Sequence, residues 1–152
     1  MTPLMLDLDG VLGDTRRLWA DWLADTSRVL GIAPSELPDD RGAAADALDE
    51  RAGNWRTLLG RWAADRAPVY LRPDAGVSAA LRQLGSAGVR LGVFTDAPAE
   101  LTEVALSQLG AARRVEAVES GSGSEARLRA RLGPAAQLVT TRAALLERTN
   151  GP

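Results

Sequence analysis

The chain of 152 residues contains no cysteine, no histidine and no lysine, and aromatic residues make up only 4% of it. Without cysteine there is no disulfide, no thiolate nucleophile and no zinc–thiolate site. Without histidine the chain lacks the commonest general base and metal ligand. All 18 basic residues are arginine, so chemistry that needs a lysine amine is excluded as well.

The sequence also lacks long apolar runs and basic clusters. No segment approaches the length of a membrane span and no signal peptide precedes the first predicted strand, so we expect a cytoplasmic protein that does not bind membranes. The net charge is −2, and no basic block indicates nucleic-acid binding. The acidic excess lies in residues 1–14, which carry three acids and no base. This local charge favours cation binding near the amino terminus.

The most informative segment is a short apolar run that ends in Asp7 and Asp9 and is followed by Gly10. On a strand the two aspartates share a face, and a strand that is apolar on both faces is usually buried in a parallel sheet. Such sheets bind ligands at the carboxyl ends of their strands. Burying two carboxylates there is costly unless a cation or hydrogen-bond donors compensate. The segment therefore predicts a functional site, with Gly10 allowing a sharp turn.

The segment from Asp7 to Val11 resembles motif I of the haloacid dehalogenase superfamily, an apolar strand followed by Asp-x-Asp-Gly-Thr/Val. The resemblance implies that Asp7 is a catalytic nucleophile that forms an aspartyl-phosphate. It implies that Asp9 is the general acid and base, and that Asp7 and the backbone carbonyl of Asp9 hold Mg²⁺ together with the phosphate. The true dehalogenases lack the second aspartate, so Asp9 points to phosphoryl transfer. A calcium loop is the alternative, but calcium loops lack the preceding strand.

Beyond this segment the chain divides into a helical insert and an alternating region. Helical patterns fill much of residues 15–72, with breaks at Pro34, Pro38 and Gly53. From residue 73 onward strand and helix patterns alternate, which predicts a parallel sheet with helices on both faces. The right-handed crossover rule predicts that the first strand is central, between the strands at 89–95 and 137–141. We therefore expect an α/β fold with a Rossmann-like core formed by residues 1–14 and 73–152. Residues 15–72 resemble the small four-helix, C1-type cap of the superfamily.

Residues 91–96, with the sequence LGVFTD, resemble motif II of the same superfamily, an apolar strand that ends in threonine or serine. The resemblance implies that the Thr95 hydroxyl and the following backbone N–H bind phosphoryl oxygens. Asp96 stands where asparagine is often found, and we assign Gly10, Thr95 and Asp96 to the phosphate site. A threonine at a strand end is common in any α/β protein, so the resemblance to motif II rests mainly on the distance of this segment from motif I.

The position of motif III departs from the superfamily pattern. A lysine or arginine is expected near Glu119 and Ser120, and neither residue is basic. Arg127, further along the predicted helix, is the nearest substitute, and we expect it to bind the phosphate. The alternative is that Arg127 simply belongs to a solvated helix face.

The position of motif IV departs further, because Thr141 and Arg142 stand where metal-binding aspartates are expected. Removing a carboxylate and adding a cation should both weaken Mg²⁺ binding. We predict that Arg142 forms an ion pair with Asp7 or Asp9 and partly fills the magnesium position.

These patterns favour a phosphatase that hydrolyses a small phosphomonoester, with Mg²⁺ held weakly or not at all. Two alternatives stay open: a non-catalytic protein that binds a phosphorylated ligand or a protein partner, and a structural subunit that assembles through its cap. All four tryptophans lie in the insert. They form either the cap's own core or an aromatic surface over the site, through which a homodimer or a protein partner could bind.

Overall fold

The computed structural model describes residues 1–150, whose strands form one parallel sheet. The strands are β1 (Leu4–Asp7), β2 (Leu91–Thr95), β3 (Ala117–Ser120) and β4 (Gln137–Val139). Their order is β3-β2-β1-β4, and every neighbouring pair is parallel. The prediction that the first strand is central, between the second and the fourth, is confirmed. This order brings the carboxyl ends of β1 and β2 side by side.

Seven α-helices are found among residues 1–150. They are α1 (Arg16–Leu30), α2 (Arg41–Arg51), α3 (Trp55–Tyr70), α4 (Ala75–Ser86), α5 (Ala99–Gln108), α6 (Ser124–Leu132) and α7 (Arg142–Glu147). None of the helices in this range is long and apolar enough to cross a bilayer.

Strand β1 is buried on both faces, as its sequence predicts. Leu4 and Leu6 belong to an apolar cluster with side chains of α4, α5 and α7. Met5 faces the other way and packs with Leu128 and Leu132 of α6. The central strand is therefore held rigidly, and the two aspartates at its end have a fixed base.

The insert is helical, as predicted, and contains three α-helices, one fewer than the four-helix cap that it resembles. Helix α1 ends at Gly31, which has a left-handed φ of 69°. The next segment forms only one short 3₁₀ turn, Pro34–Glu36, because Pro34 and Pro38 stop any longer helix from forming there.

The tryptophans of the insert lie mainly in its interior. Trp19, Trp22 and Trp55 are buried together, with ring centroids 5.3 to 6.4 Å apart. The same apolar cluster includes Ala97 and Leu101 of the core. The insert and the core therefore share packing, and their division into separate domains stays a prediction, as does an interface with a partner through the cap.

Candidate functional site

A cleft of about 570 Å³ lies at the carboxyl ends of β1 and β2. Its floor, which we call the cleft floor, consists of Asp7, Asp9, Thr95 and Asp96. Its wall is the segment 121–126, which leads into α6. The start of α2 covers the cleft from the side of the cap. The structure thus brings together the main residues that the two strand-end motifs predict.

The chain reaches this arrangement through a wide helical turn that follows β1. The turn spans Leu8–Leu12 and is closed by the N–H of Gly13, which donates to the carbonyl oxygen of Leu8 at 3.1 Å. A Cβ atom at Gly10 would lie 2.0 Å from the carbonyl oxygen of Thr140. Gly10 is therefore required for the close approach of this turn to the end of β4, whereas its contact with phosphate stays a prediction.

Asp7 carries the carboxylate on the cleft floor that has no ion-pair partner among residues 1–150. Its Oδ1 accepts a hydrogen bond from the backbone N–H of Asp9 at 3.2 Å. Burial, and then the neighbouring charge of Asp9, raises the pKa of Asp7, although the N–H groups of Asp9 and Gly10 oppose this shift. The Asp7 carboxylate is therefore available to a ligand.

Asp9 is placed differently, because both of its carboxylate oxygens accept hydrogen bonds. Oδ1 accepts from the backbone N–H of Thr15 at 2.8 Å and from its hydroxyl at 2.6 Å. Oδ2 accepts from the Thr95 hydroxyl at 3.0 Å and from Arg41 Nη2 at 2.5 Å. Donors from the core and from the cap together hold this side chain in one orientation.

Arg41, the first residue of α2, is the site residue that sequence reasoning missed. It is 3% exposed. Its Nε and Nη2 donate to Asp96 Oδ1 at 3.0 and 2.8 Å, and its Nη1 donates to the Thr15 hydroxyl at 2.7 Å. The backbone N–H of Arg41 also donates to Asp96 Oδ2 at 3.0 Å. No local pattern distinguishes this arginine from the other 17.

The neighbours of Arg41 explain how the cap reaches the floor. Asp40 caps α2, since its side chain accepts from the backbone N–H of Ala43 at 2.8 Å. Gly42 lies against the cleft wall, because a Cβ there would meet Ser122 Oγ at 2.2 Å and its backbone nitrogen at 2.5 Å. Glycine has a low helix propensity, so its presence in the first turn of α2 is the one feature of the sequence that indicates close packing of this helix against the cleft wall.

Asp96 and Thr95 are both turned inward. Burial alone would raise the pKa of Asp96, but the hydrogen bonds and charge of Arg41 outweigh it, and the pKa lies below its ordinary value. The hydroxyl of Thr95 donates to Asp9 and accepts from the backbone N–H of Ala97 at 3.2 Å. The predicted contacts of both residues with phosphate stay predictions, and the observed role of Asp96 is to hold Arg41.

Arg127 is not brought to the cleft floor. Its guanidinium donates to the carbonyl oxygens of Ser120 and Ser122 and lies 3.6 Å from Glu119. It therefore stabilises the segment that forms the cleft wall, and its predicted contact with phosphate stays untested.

The predicted ion pair of Arg142 with Asp7 or Asp9 is wrong. Arg142 donates to the carbonyl oxygens of Val11 and Leu12, at 3.3 Å each, and lies 3.5 Å from Asp74. The guanidinium of Arg142 is attracted by the carbonyl oxygens at the end of the turn after β1, and the carboxylate of Asp9 is already bound by Arg41. Thr141 caps α7 by accepting from the backbone N–H of Ala144 at 3.1 Å.

Comparison with solved structures shows what this architecture resembles. A Thermotoga maritima protein assigned as a β-phosphoglucomutase aligns over 99% of this chain and 82% of its own, with 17% identity and a TM-score of 0.56. CbbY from Rhodobacter sphaeroides, crystallised with phosphate, aligns over 80% of this chain and 64% of its own, with 16% identity and a TM-score of 0.58. A HAD phosphatase from Thermococcus onnurineus aligns with 20% identity over 79% of this chain and 62% of its own, at a TM-score of 0.48.

The chain has the haloacid dehalogenase fold. The resemblance read from the motifs is thereby confirmed at the level of the fold. No protein-family model matches the sequence, and no curated protein aligns with it significantly.

The resemblance implies that the site binds Mg²⁺, but few side chains at this site are suited to coordinate it. Within residues 1–150 no group of three or more acidic side chains is placed to hold a metal ion. Mg²⁺ requires an octahedral set of oxygens and is usually anchored by one or two carboxylates. Asp7 offers one, and the second ligand that the resemblance implies is the backbone carbonyl of Asp9, whose side chain is bound by the guanidinium of Arg41. Thr141, which stands where a further carboxylate is expected, is used as a helix cap. These donors do not fit a firmly held Mg²⁺.

Proposed function

We propose that this protein is a phosphatase that hydrolyses small phosphomonoesters through an aspartyl-phosphate on Asp7. The observation that carries the proposal is the contrast on the cleft floor. Asp7 faces the cleft without an ion-pair partner among residues 1–150, while Asp9 and Thr95 lie beside it, joined by a hydrogen bond of 3.0 Å. A free carboxylate next to a fixed one is the arrangement that covalent catalysis with acid–base assistance requires.

The reaction takes place in two steps. A carboxylate oxygen of Asp7 attacks phosphorus, the ester P–O bond breaks, and the leaving oxygen takes a proton from the acid form of Asp9. Water then attacks the aspartyl-phosphate, Asp9 accepts a proton from that water, and inorganic phosphate leaves with Asp7 restored. Arg16 and Arg41 line the same cleft. Arg16 is paired with Asp14, and Arg41 with Asp9 and Asp96, and the positive charge of both favours the phosphoryl oxygens.

The dimensions and the wall of the cleft support a small phosphorylated substrate. A volume of about 570 Å³ lies within the usual range of small-molecule sites. Gly121 and Gly123 have left-handed φ values of 82° and 73°, and Ser124, which is 5% exposed, begins α6 beside them. The amino end of a helix favours anionic groups. The presence of phosphate in the CbbY crystal is consistent with this assignment.

One observation favours the alternative of a non-catalytic protein that binds phosphorylated ligands. Both oxygens of Asp9 accept hydrogen bonds in this closed arrangement. A catalytic acid must carry a proton on one of them, so turnover requires α2 to move or a substrate to displace Arg41. A binding protein has no such requirement.

Trapping the intermediate separates the two functions. The protein is mixed with an aryl phosphate, quenched in acid and analysed by intact mass and peptide mapping. We expect one added phosphoryl group on Asp7, and none in Asp7→Asn. Phosphate release without any adduct on Asp7 would contradict the proposed mechanism. Calorimetric binding of inorganic phosphate without release from any ester would instead support the binding protein.

A further inference from the structure

The most unusual charged group outside the predicted motifs is the buried guanidinium of Arg41. Its side chain is 4% exposed and lies 2.5 Å from Asp9 and 2.8 Å from Asp96. Fully buried arginines are rare unless they are paired, and this one is paired with two carboxylates. It also contacts the hydroxyls of Thr15 and Thr95 at 2.7 and 3.3 Å. The cation therefore contacts three of the four residues of the cleft floor, Asp9, Thr95 and Asp96.

Charge balance indicates what this cation does. Asp9 and Asp96 lie at the ends of adjacent strands, and two carboxylates in such a place require a counter-charge. Arg142 and Arg127 do not supply it, because both bind backbone carbonyl oxygens elsewhere. Arg41 supplies it through both Nε and Nη2. A dication held by Asp7 and the backbone carbonyl of Asp9 would be repelled by the guanidinium that is bound to the side chain of Asp9.

We propose that Arg41 is the resident cation of this site and occupies the charge-balancing position in place of a divalent metal. The cation reaches the floor with α2, because the backbone N–H of Arg41 binds Asp96 and Gly42 packs on Ser122. In the closed protein Asp9 is thus neutralised by the cap and not by an ion from solution. The inference rests on the site of the proposed function, but the binding test that follows does not depend on turnover.

The test measures Mg²⁺ binding and thermal stability in the full chain. Millimolar Mg²⁺ should leave the melting temperature of the natural protein unchanged, and calorimetry should show no binding at micromolar Mg²⁺. Arg41→Ala should lower the melting temperature on the order of 10 °C, because the carboxylate of Asp9, which is 10% exposed, loses its counter-charge. Mg²⁺ should restore part of that loss and bind this variant at least about tenfold more tightly than the natural protein, one factor of ten being about 1.4 kcal/mol.

Two control variants sharpen the test. Arg56→Gln removes another cap–core ion pair, between Arg56 and Glu100 at 3.0 Å, and should leave the response to Mg²⁺ as in the natural protein. Arg41→Lys keeps the charge but loses the planar fork, so it should lose stability yet gain little Mg²⁺ binding. If Arg41→Ala does not fold, Arg41→Gln takes its place, since it removes the positive charge but keeps a hydrogen-bond donor, and it should also tighten Mg²⁺ binding.

Micromolar Mg²⁺ binding by the natural protein would overturn the proposal. Equal Mg²⁺ affinity in Arg41→Ala and in the natural protein would overturn it too. Neither readout depends on catalysis, so a protein without any phosphatase activity could still confirm the role of Arg41. Conversely, an active protein that binds Mg²⁺ tightly would refute this inference and leave the proposed function standing.

Discussion

The floor and the roof of the cleft differ in where their residues lie in the sequence. The floor is assembled from residues at or just beyond the ends of two adjacent strands, Asp7 and Asp9 at the end of β1 and Thr95 and Asp96 at the end of β2. The roof, defined as Asp40, Arg41 and Gly42, comes from the cap. Arg41 is 32 positions along the chain from Asp9 and 55 positions from Asp96. The floor supplies negative charge and the roof neutralises it, so neither part makes a complete site alone.

The floor is held in place by its own strand, whereas the position of the roof depends on how the cap packs against the core. The floor is fixed by a strand that is buried on both faces. The roof is fixed by its contacts with the core, namely Arg41 on the two carboxylates and Gly42 on Ser122. Variants of the floor should therefore affect chemistry first, and variants of the roof should affect stability and charge balance first.

Asp7→Asn should produce the largest effect of all. The amide cannot form the acyl-phosphate, so phosphatase activity should fall to background. The measurement is phosphate release from an aryl phosphate, with circular dichroism to verify folding. Asp46→Asn, on an exposed position of α2, is the matched control and should keep full activity. Unchanged turnover in Asp7→Asn would assign the activity to another residue or to a contaminant.

Asp9→Asn should lower kcat on the order of 10²- to 10⁴-fold, because acid–base catalysis is lost while the nucleophile remains. Single-turnover kinetics should show the defect in both formation and breakdown of the aspartyl-phosphate. A leaving group of low pKa needs little protonation and should recover part of the first step. A defect that is independent of the leaving group would argue against Asp9 as the acid.

The strand ends show what the sequence predicts well. The short apolar run, the spacing of two aspartates and the alternation of strands and helices locate Asp7, Asp9 and Thr95 and the order of the sheet. These signals are local or periodic, so one sequence suffices. Asp96 was placed correctly in the cleft, but its partner was not foreseen.

The arginines show what the sequence could not predict. Arg127 and Arg142 were chosen because they stand near the positions of motifs III and IV, whereas the residue that enters the floor is Arg41. With 18 arginines and no lysine, no arginine differs from the others by residue type. Which one is buried depends on how α2 docks against β2, and that is a property of tertiary packing.

The roof is tested by comparing two arginines that each join the cap to the core. Arg41→Met should lower the free energy of unfolding by roughly 3–5 kcal/mol, because it leaves the carboxylate of Asp9, which is 10% exposed, without its counter-charge. Arg56→Gln should cost about 1 kcal/mol or less, because Arg56 is 39% exposed and exposed pairs contribute little. Urea unfolding monitored by tryptophan fluorescence measures both. Equal losses would mean that the contact of Arg41 with the floor is not special.

Two glycines of the cap should respond in opposite directions to alanine. Gly42→Ala should destabilise by roughly 1–3 kcal/mol, because its Cβ would collide with Ser122. Gly60→Ala should stabilise by roughly 0.5–1 kcal/mol, because the nearest atom to its Cβ is 3.8 Å away and alanine favours the helix. Thermal unfolding of both variants makes the comparison. A neutral Gly42→Ala would show that α2 does not lie against the cleft wall in solution.

The smallest predicted effects are the shifts in the pKa values of the floor residues Asp7 and Asp96. Carboxyl carbon NMR should place the pKa of Asp7 above and that of Asp96 below the ordinary value of 3.8. The Asp96 contribution to stability is full above 3.8 and is lost as the pH falls through its folded pKa, so Asp96→Asn should flatten this acid loss. Asp9→Asn should lower the pKa of Asp7 by removing a neighbouring charge. A pKa of Asp7 below 3.8 would contradict the described environment.

The most direct test of the account is the turnover of an aryl phosphate by metal-stripped protein in the presence of a chelator. With Asp7 as the proposed nucleophile and Arg41 as the proposed counter-charge, we expect the rate of phosphate release with chelator to lie within about twofold of the rate with millimolar Mg²⁺, and no release from Asp7→Asn. Turnover that appears only when Mg²⁺ is added would contradict the account, because a metal ion would then supply the charge assigned to Arg41.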